Sequence, residues 1–596
     1  MSGSDIKIYQ KLICIISLIS ILISLIIIIE SPKALGYEVS IYGVLPWFFW
    51  AMILIPLILP FILVINRKFP INKYTHIAIL CSLFSLLIVL SLPIFRGYVL
   101  YGAGDTLSHL GMVKDIIYTG HVGFRNPYPI IHILIYNLAS ILNISVEMVA
   151  LFLCQLFVLV YVASLYLLTI SLNYNRRVSL LVLLFSIVPV MGSWLTTEYI
   201  MPSTQSFCFI PLALFLIIKS RTSNNNVPYS ILLVILLVLF PFFHPESTVF
   251  LLIALIIFAL MLVTNKFNVD SIFHRKKILT PILLLFIGFI AWFSSTYLLG
   301  WTISNIYDTF ILNIAPVTPL VESMSGGIHI NFFDTVKIII LQYGAACIYL
   351  LIGLIISLIT FKKFLNKKAN FNNTFLSLLF VSFVCLSIIF LFKGTSIGFH
   401  VYRQLKYPLM IATIFVGIYL FESINIKPKM VGYMSIIVLI LVVPFLSLSS
   451  IYPSLTVHTL NYQVTNSDIS GMNFFFNYRD NNMGILEIGQ RSYQSRFKDY
   501  IYGYEHLEDN VNSAYSDTFN PPAHFGYNMA NQLSTLYNSS KYLLIYHPYE
   551  NFYPKIYPNY PNLWKYTYGD INKLNNDSSV FKVYDNGDFK LVSINK

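Results

Sequence analysis

The sequence predicts an all-α polytopic membrane domain of about thirteen transmembrane helices, residues 1–449, followed by a small extracytoplasmic mixed α/β domain, residues 450–596. Three observations carry this reading. Hydrophobic residues make up 57% of the 596 positions and charged residues only 11%, where an ordinary globular domain has roughly 25% charged. The apolar residues fall in runs of about 20, enough to cross a ~30 Å hydrocarbon core. From residue 450 onward the material changes to Tyr, Asn, Asp and Pro in short alternating segments.

The runs are 12–29, 44–65, 77–95, 147–171, 179–195, 205–218, 229–243, 248–264, 278–299, 337–361, 374–392, 408–421 and 430–449. The first is too long, and too closely followed by another, for a cleaved signal peptide. All six cysteines lie inside runs and none pair at CxxC spacing. Neither a disulfide framework nor a zinc ribbon is expected, and the cysteines read as small apolar side chains in helices.

The net charge of +12 is a topology signal. From residue 450 there are 11 basic and 13 acidic residues, so the excess sits in the membrane part. No Lys/Arg block with interleaved aromatics is present, which argues against a nucleic-acid partner. With the N-terminus inside, the inner loops hold 19 basic residues against Asp5, Asp270 and Glu422, and the outer loops eight basic against ten acidic. That bias places the N-terminus in the cytoplasm and the C-terminal domain outside.

The outer side also carries the long loops, 96–146 and 300–336, and long loops usually carry function. In DTLSHLGMVKDIIY, 105–118, Leu107, Leu110, Val113 and Ile117 share one face, which predicts a helix lying in the membrane interface. IIHILIYNLASIL, 130–142, reads as a second. In the tail, 541–549 and 580–594 read as strands, the latter a hairpin turning at Asn586-Gly587.

Ionisable groups at the membrane edge are the candidates for chemistry. Asp105 follows a span directly and opens an outer helix. It suits a general base, an oxygen ligand to Mg2+ or Mn2+, or a plain N-cap. His109 lies one helical turn along the same face. In NPYPIIHIL, 126–134, the prolines force an extended entry that presents Tyr128 and His132 to the membrane surface; an aromatic anchor and a structural histidine account for them equally. Glu198 stands at the outer end of the fifth run, and His244 and Glu246 fill the tight turn FFHPEST, 242–248, which needs neither for packing. In GTSIGFHVYRQLKYP, 394–408, Arg403 and Lys406 lie on the outer side against the inside bias, at headgroup depth suited to a phosphate. The Gly326-Gly327 pair with flanking Ser in loop 300–336 suits a mobile lid. No GxxxxGK[ST], GxSxG or HExxH occurs, so NTPase, serine-hydrolase and zincin readings lack their residues.

The stretch GDTLSHLGMVKDIIYTGHVGFRNPYPIIHIL (104–134), the HPE turn, the R-x-x-K-Y-P stretch (403–408) and the outer C-terminal domain resemble the GT-C superfamily of integral-membrane glycosyltransferases. The resemblance covers the whole chain in architecture and only short motifs in sequence. It implies an inverting transferase that takes a sugar from a polyprenyl-phosphate donor and passes it to a glycan, lipid or protein acceptor. Asp105 would match the superfamily's acidic residue of the first large outer loop, as base or metal ligand, and Arg403 a basic residue holding the lipid phosphate. Glu198, His244 and Glu246 have no motif-level match and are candidates by position. Two spans precede the expected first one, the WWDxG motif of oligosaccharyltransferases is absent, and TLS after Asp105 forms no DxD pair.

Three other readings compete. An O-antigen-type polymerase or ligase favours outer-loop arginines over acids. A lipid-linked glycan flippase calls for charged or broken helices near mid-membrane. A non-catalytic surface receptor would present a flat outer face. The transferase reading expects Asp105, His244 or Glu246, and Arg403 to converge on one outer cavity.

Overall fold

The computed structural model describes residues 3–102, 104–188, 199–263, 279–312, 330–366, 368, 370–393, 404–423, 429–488, 493–505, 518–546 and 552–596. Over these residues each apolar run coincides with one helix or with two or three consecutive helical segments. Nine helices among the described residues are long and apolar enough to cross a membrane. They become ten if Leu279–Ser295 and Leu298–Asn305, bent by 94°, form one broken span. Among the described residues Arg176–Ile187 and Val227–Phe243 are shorter helices, of 12 and 17 residues. The helices leave large apolar side chains such as Leu22, Ile29, Leu260 and Leu358 exposed on their outer surfaces, as a bundle solvated by lipid does.

The two ends of the bundle are built from different loops. At one end Gln10 donates to the Pro70 carbonyl at 2.8 Å, Asn72 donates to Gln10 at 2.6 Å and Tyr174 donates to Asn373 at 2.6 Å. There Arg177 also donates to the carbonyls of Val64, Asn66 and Phe69. These are segments that the charge bias groups together as inner. At the other end Arg96 pairs with Glu38, and strand β1 (Leu100–Tyr101) pairs antiparallel with β2 (Gln463–Val464). The loop 96–146 and the C-terminal domain therefore lie on one side of the membrane.

The helix at 105–118 forms as α1, Asp105–Thr119, closed by Gly120 in the left-handed region at φ +74°. Thr106, Leu107, Ser108, His109, Leu110, Met112, Val113, Asp115 and Ile116 are all buried, because the C-terminal domain covers the face that would have met headgroups. The second outer helix is α2, Pro129–Leu142, capped by Asn143 at φ +51°. The helices α3, Pro245–Val263, and α4, Lys406–Ser423, start at the same end of the bundle. At the two edges of the expected loop 300–336, Leu298–Phe310 is helical and a 34-residue helix begins at Phe332.

The C-terminal domain is a five-stranded mixed sheet. It contains β3 (Gly484–Ile488), β4 (Thr518–Phe519), β5 (Lys541–Tyr546), β6 (Val580–Asp585) and β7 (Phe589–Ile594), in the order β4-β3-β5-β7-β6. β3 runs parallel to β4 and β5, and β7 antiparallel to β5 and β6. The 580–594 hairpin turns at Gly587, φ +97°, a conformation glycine adopts without strain. Alternate residues feed opposite faces. Ile485, Tyr542, Leu544, Tyr546, Phe589 and Leu591 share one apolar cluster with the bundle. Leu486, Ile488, Leu543, Ile545, Val592 and Ile594 pack under Phe525, Leu533 and Tyr566. Both flanking helices open with T-x-x-D capping boxes, Thr465/Asp468 and Thr567/Asp570.

Helix α5, Tyr493–Tyr502, docks this domain on α1. A Cβ on Gly111 would stand 2.3 Å from the Asp499 carbonyl oxygen, so only glycine permits the two backbones to approach this closely. Ser108 donates to the Asp499 carboxylate, the Lys114 ammonium lies 4.1 Å from the Tyr500 ring centroid, and Tyr500 donates to Glu147 at 2.7 Å. Neighbouring contacts run from Arg125 and Glu505 N–H groups to the Glu505 and Asp115 carboxylates.

Candidate active site

Gly102 and Gly104, at φ +95° and +135°, lead the chain into α1. Gly104 occupies the N-cap position, and Asp105 is the first helical residue. The capping role open to Asp105 thus falls to glycine, and its carboxylate sits where the positive end of the helix favours a negative charge. Asp105 Oδ1 lies 2.8 Å from Arg496 Nη2, with the side chains 45% and 35% exposed. Arg496 Nη1 donates to Ser108 Oγ at 3.0 Å.

One turn along α1, the His109 and His132 rings stack at 5.3 Å, with His109 Nδ1 3.2 Å from His132 Nε2. His132 Nδ1 is 2.9 Å from Asn126 Oδ1, which also accepts the Tyr128 N–H at 3.1 Å. The backbone donor identifies the facing amide atom as oxygen, so His132 donates through Nδ1 and accepts through Nε2. His109 then donates through Nδ1, and in the neutral ring Nε2 is the basic nitrogen. Burial, and secondly His109, hold the His132 pKa well below its ordinary 6.5, which keeps this relay in one tautomer. His132 is fully buried and does not face the membrane surface as its sequence context suggested, because α1 packs over it.

Tyr128 bridges to the next segment. Its ring stacks on His244 at 4.7 Å and meets His109 edge-on at 6.3 Å. Trp292 donates to the Pro127 carbonyl at 3.2 Å and fixes this bend. His244 breaks the helix between Phe243 and Pro245 in extended conformation, and its Nδ1 accepts the Glu246 N–H at 3.3 Å. Glu246, in the first turn of α3, is buried and accepts from Tyr407 at 3.0 Å, with Lys406 Nζ at 3.4 Å. Lys406 also donates to the Ser203 carbonyl at 2.9 Å, and a Ser206–Ser247–Tyr407 hydroxyl chain completes the cluster.

His109, Tyr128, His132, His244, Glu246 and Lys406 thus form one run of contacts across four segments, and Asp105 with its Arg496 partner stands one turn along α1 from His109. Lys406 was expected at headgroup depth and is instead fully buried, because the buried Glu246 carboxylate needs a counter-charge. Glu198, Arg403 and the Gly326-Gly327 pair lie outside the described residues. Arg496, Ser108, Asn126 and Tyr407 were not singled out from the sequence. Asn126 had a local signal, since Asn two residues before a backbone donor makes an Asx turn; Arg496 had none.

For a divalent cation the sequence offered the Asp105 carboxylate. That carboxylate has a guanidinium against it, and among the described residues no three His, Cys, Asp or Glu side chains are grouped to hold a metal ion.

No protein-family profile and no curated protein matches the sequence. The chain is similar to solved structures of two membrane proteins. For the apo oligosaccharyltransferase of Archaeoglobus fulgidus, identity is 12% over 84% of this chain and 72% of that one, at TM-score 0.48. For the same enzyme tethered to an acceptor peptide containing the NVT sequon, the values are 13%, 81%, 70% and 0.45. For ArnT from Cupriavidus metallidurans bound to undecaprenyl phosphate, they are 8%, 86%, 97% and 0.44. Identities this low transfer no residue roles to this chain.

Proposed function

We propose that this protein is a GT-C-type membrane glycosyltransferase. It transfers a sugar from a polyprenyl-phosphate donor to a glycan, lipid or protein acceptor, on the membrane face that carries the C-terminal domain. The observation that supports it best is the run of contacts from His109 and His132 through Tyr128 to His244, one helical turn from the Asp105–Arg496 pair, where an apolar bundle meets a polar domain. Packing alone asks for none of these groups, and such a boundary is where a lipid-borne phosphosugar and a water-borne acceptor meet.

In this reading the Asp105 carboxylate takes the proton of the acceptor hydroxyl or amide as that atom attacks the anomeric carbon. The bond from that carbon to the phosphate oxygen breaks, and the phosphate leaves with the electron pair. A guanidinium beside the leaving phosphate stabilises the growing charge. A single displacement of this kind inverts the anomeric centre. The Lys/Arg bias supports a cytoplasmic N-terminus and an outer site.

The test uses the full chain in nanodiscs with radiolabelled polyprenyl-phosphate sugars, with and without Mg2+ or Mn2+. We expect sugar transfer or release by the wild type and a loss of about 10²–10⁴-fold in Asp105→Asn. Metal dependence would assign Asp105 a ligand's role as well. A wild type that consumes no donor sinks the reading.

A lipid-linked glycan flippase is the second reading, and the buried Lys406–Glu246 pair favours it. Both residues, however, occupy the first turns of α3 and α4, at the ends of these helices and not midway along them. Transport of a fluorescent lipid-linked glycan across a proteoliposome without turnover would support that reading instead.

A further inference from the structure

We propose that Arg496, supplied by the C-terminal domain, is the residue that grips the donor's phosphate, and that its pair with Asp105 is a resting contact which the phosphate opens. The inference rests on the transferase reading and adds a residue from outside the membrane domain to its site.

Three features single this arginine out. It is the cation in contact with the candidate base, through Nη2, while Nη1 reaches Ser108 one turn along α1. It is one-third exposed and Asp105 nearly half exposed, whereas the Arg96–Glu38 pair is 5% and 11% exposed and the Lys406–Glu246 pair 1% and 5%. An ion pair that open to water holds weakly, so the donor's phosphodiester anion, accepting two parallel N–H bonds through its two non-bridging oxygens, can displace a single carboxylate oxygen. The helix that carries Arg496 is held by other residues: the Gly111–Asp499 backbone contact, the Ser108–Asp499 bond and the Lys114–Tyr500–Glu147 cluster. The docking of the domain therefore does not depend on the Arg496–Asp105 pair alone.

The consequence is a coupling of donor binding to base strength. A carboxylate paired with a guanidinium binds a proton poorly. When the donor phosphate draws Arg496 away, Asp105 loses that stabilisation and becomes the better base, beside the sugar it is to help transfer. Donor arrival thus prepares the acceptor's deprotonation, and no covalent change in the protein is required.

The decisive experiment measures equilibrium binding of fluorescent polyprenyl phosphate, without sugar, to the full chain in nanodiscs. Arg496→Gln should weaken binding by about 10- to 100-fold, the range for a hydrogen-bonded charge, and Arg496→Lys should recover part of it. Asp105→Asn should tighten binding by about two- to fivefold, because it removes the carboxylate that competes for the guanidinium. The opposite signs are the signature, since a purely structural pair would weaken binding from either side. Unchanged affinity in Arg496→Gln, or weakening in Asp105→Asn, overturns the proposal. If the wild type turns over a polyprenyl-phosphate sugar while Arg496→Gln binds normally, this inference alone fails. If the wild type binds no polyprenyl phosphate and consumes no such sugar, the transferase reading fails with it.

Discussion

Two ion pairs stand at the same end of this molecule, and they differ in burial far more than in chemistry. Asp105–Arg496 joins the membrane domain to the C-terminal domain at 2.8 Å, with both side chains a third or more exposed. Glu246–Lys406 lies inside the bundle at 3.4 Å, nearly sealed from solvent, and is completed by Tyr407 and the Ser203 carbonyl. Water screens the first pair, so its partners can exchange at little cost. The second pair has no such substitute for either member, and removing one leaves an uncompensated buried charge. The difference separates a contact suited to turnover from one suited to holding helices together.

The sharpest way to break the comparison is to neutralise one member of each pair. Asp105→Asn should cost about 10²–10⁴-fold in sugar transfer while moving the thermal unfolding midpoint little. Lys406→Met should do the reverse, destabilising the protein by about 3–5 kcal/mol, read from the loss of folded protein on heating in detergent. If Lys406→Met left stability unchanged, Glu246 and Lys406 would not form the locked pair described. A double change, Glu246→Gln with Lys406→Met, should recover part of the loss, since no unpaired charge then remains buried.

Smaller effects sharpen the contrast by pH. His132 is held well below its ordinary 6.5, first by burial and then by His109. The unfolded chain takes up a proton below about pH 6.5 that the folded relay refuses. Stability should therefore fall as pH drops below that value, by at most about 1.4 kcal/mol per pH unit from this group. His132→Gln should flatten that acid limb. In the C-terminal domain burial pushes the Glu487 carboxyl up to about 8, against bonds donated by the Gln494 N–H and Tyr546. Between about pH 4.5 and 8 the folded domain keeps a proton that the unfolded chain releases, so stability should fall as pH rises through that window. Glu487→Gln, which keeps the acceptor oxygen, should stabilise the protein at pH 8 and above, with the gain fading toward pH 4.5. Unfolding curves of each variant across that pH range check both signs.

Much of the architecture was legible because it is written locally. Hydropathy marked helix at every run, and the Asn-Gly signal sits where the hairpin turns. The helix at 105–118 shows the limit best. Its amphipathic pattern announced a helix with one wet face, and the structure covers that face with α5. Of the site, Asp105, His109 and Tyr128 stood out as polar groups at a membrane edge, where they are costly enough to demand a reason. His132 and Lys406 stood out for the same reason and were placed at the surface, although both are buried.

By itself the sequence determined that this chain lives in a bilayer, which loops share a side, and that a polar domain follows the last span. These follow from hydropathy and charge, which add along the chain without regard to contacts. Only the tertiary structure decided that Glu246 and Lys406 neutralise each other and that His109 leans on His132. It alone brought Arg496 to Asp105, a pair separated by nearly four hundred residues. Such pairings depend on how the helices and the C-terminal sheet dock. Docking is settled by the shape of faces such as Gly111 against Asp499, and that shape has no period in the sequence to reveal it.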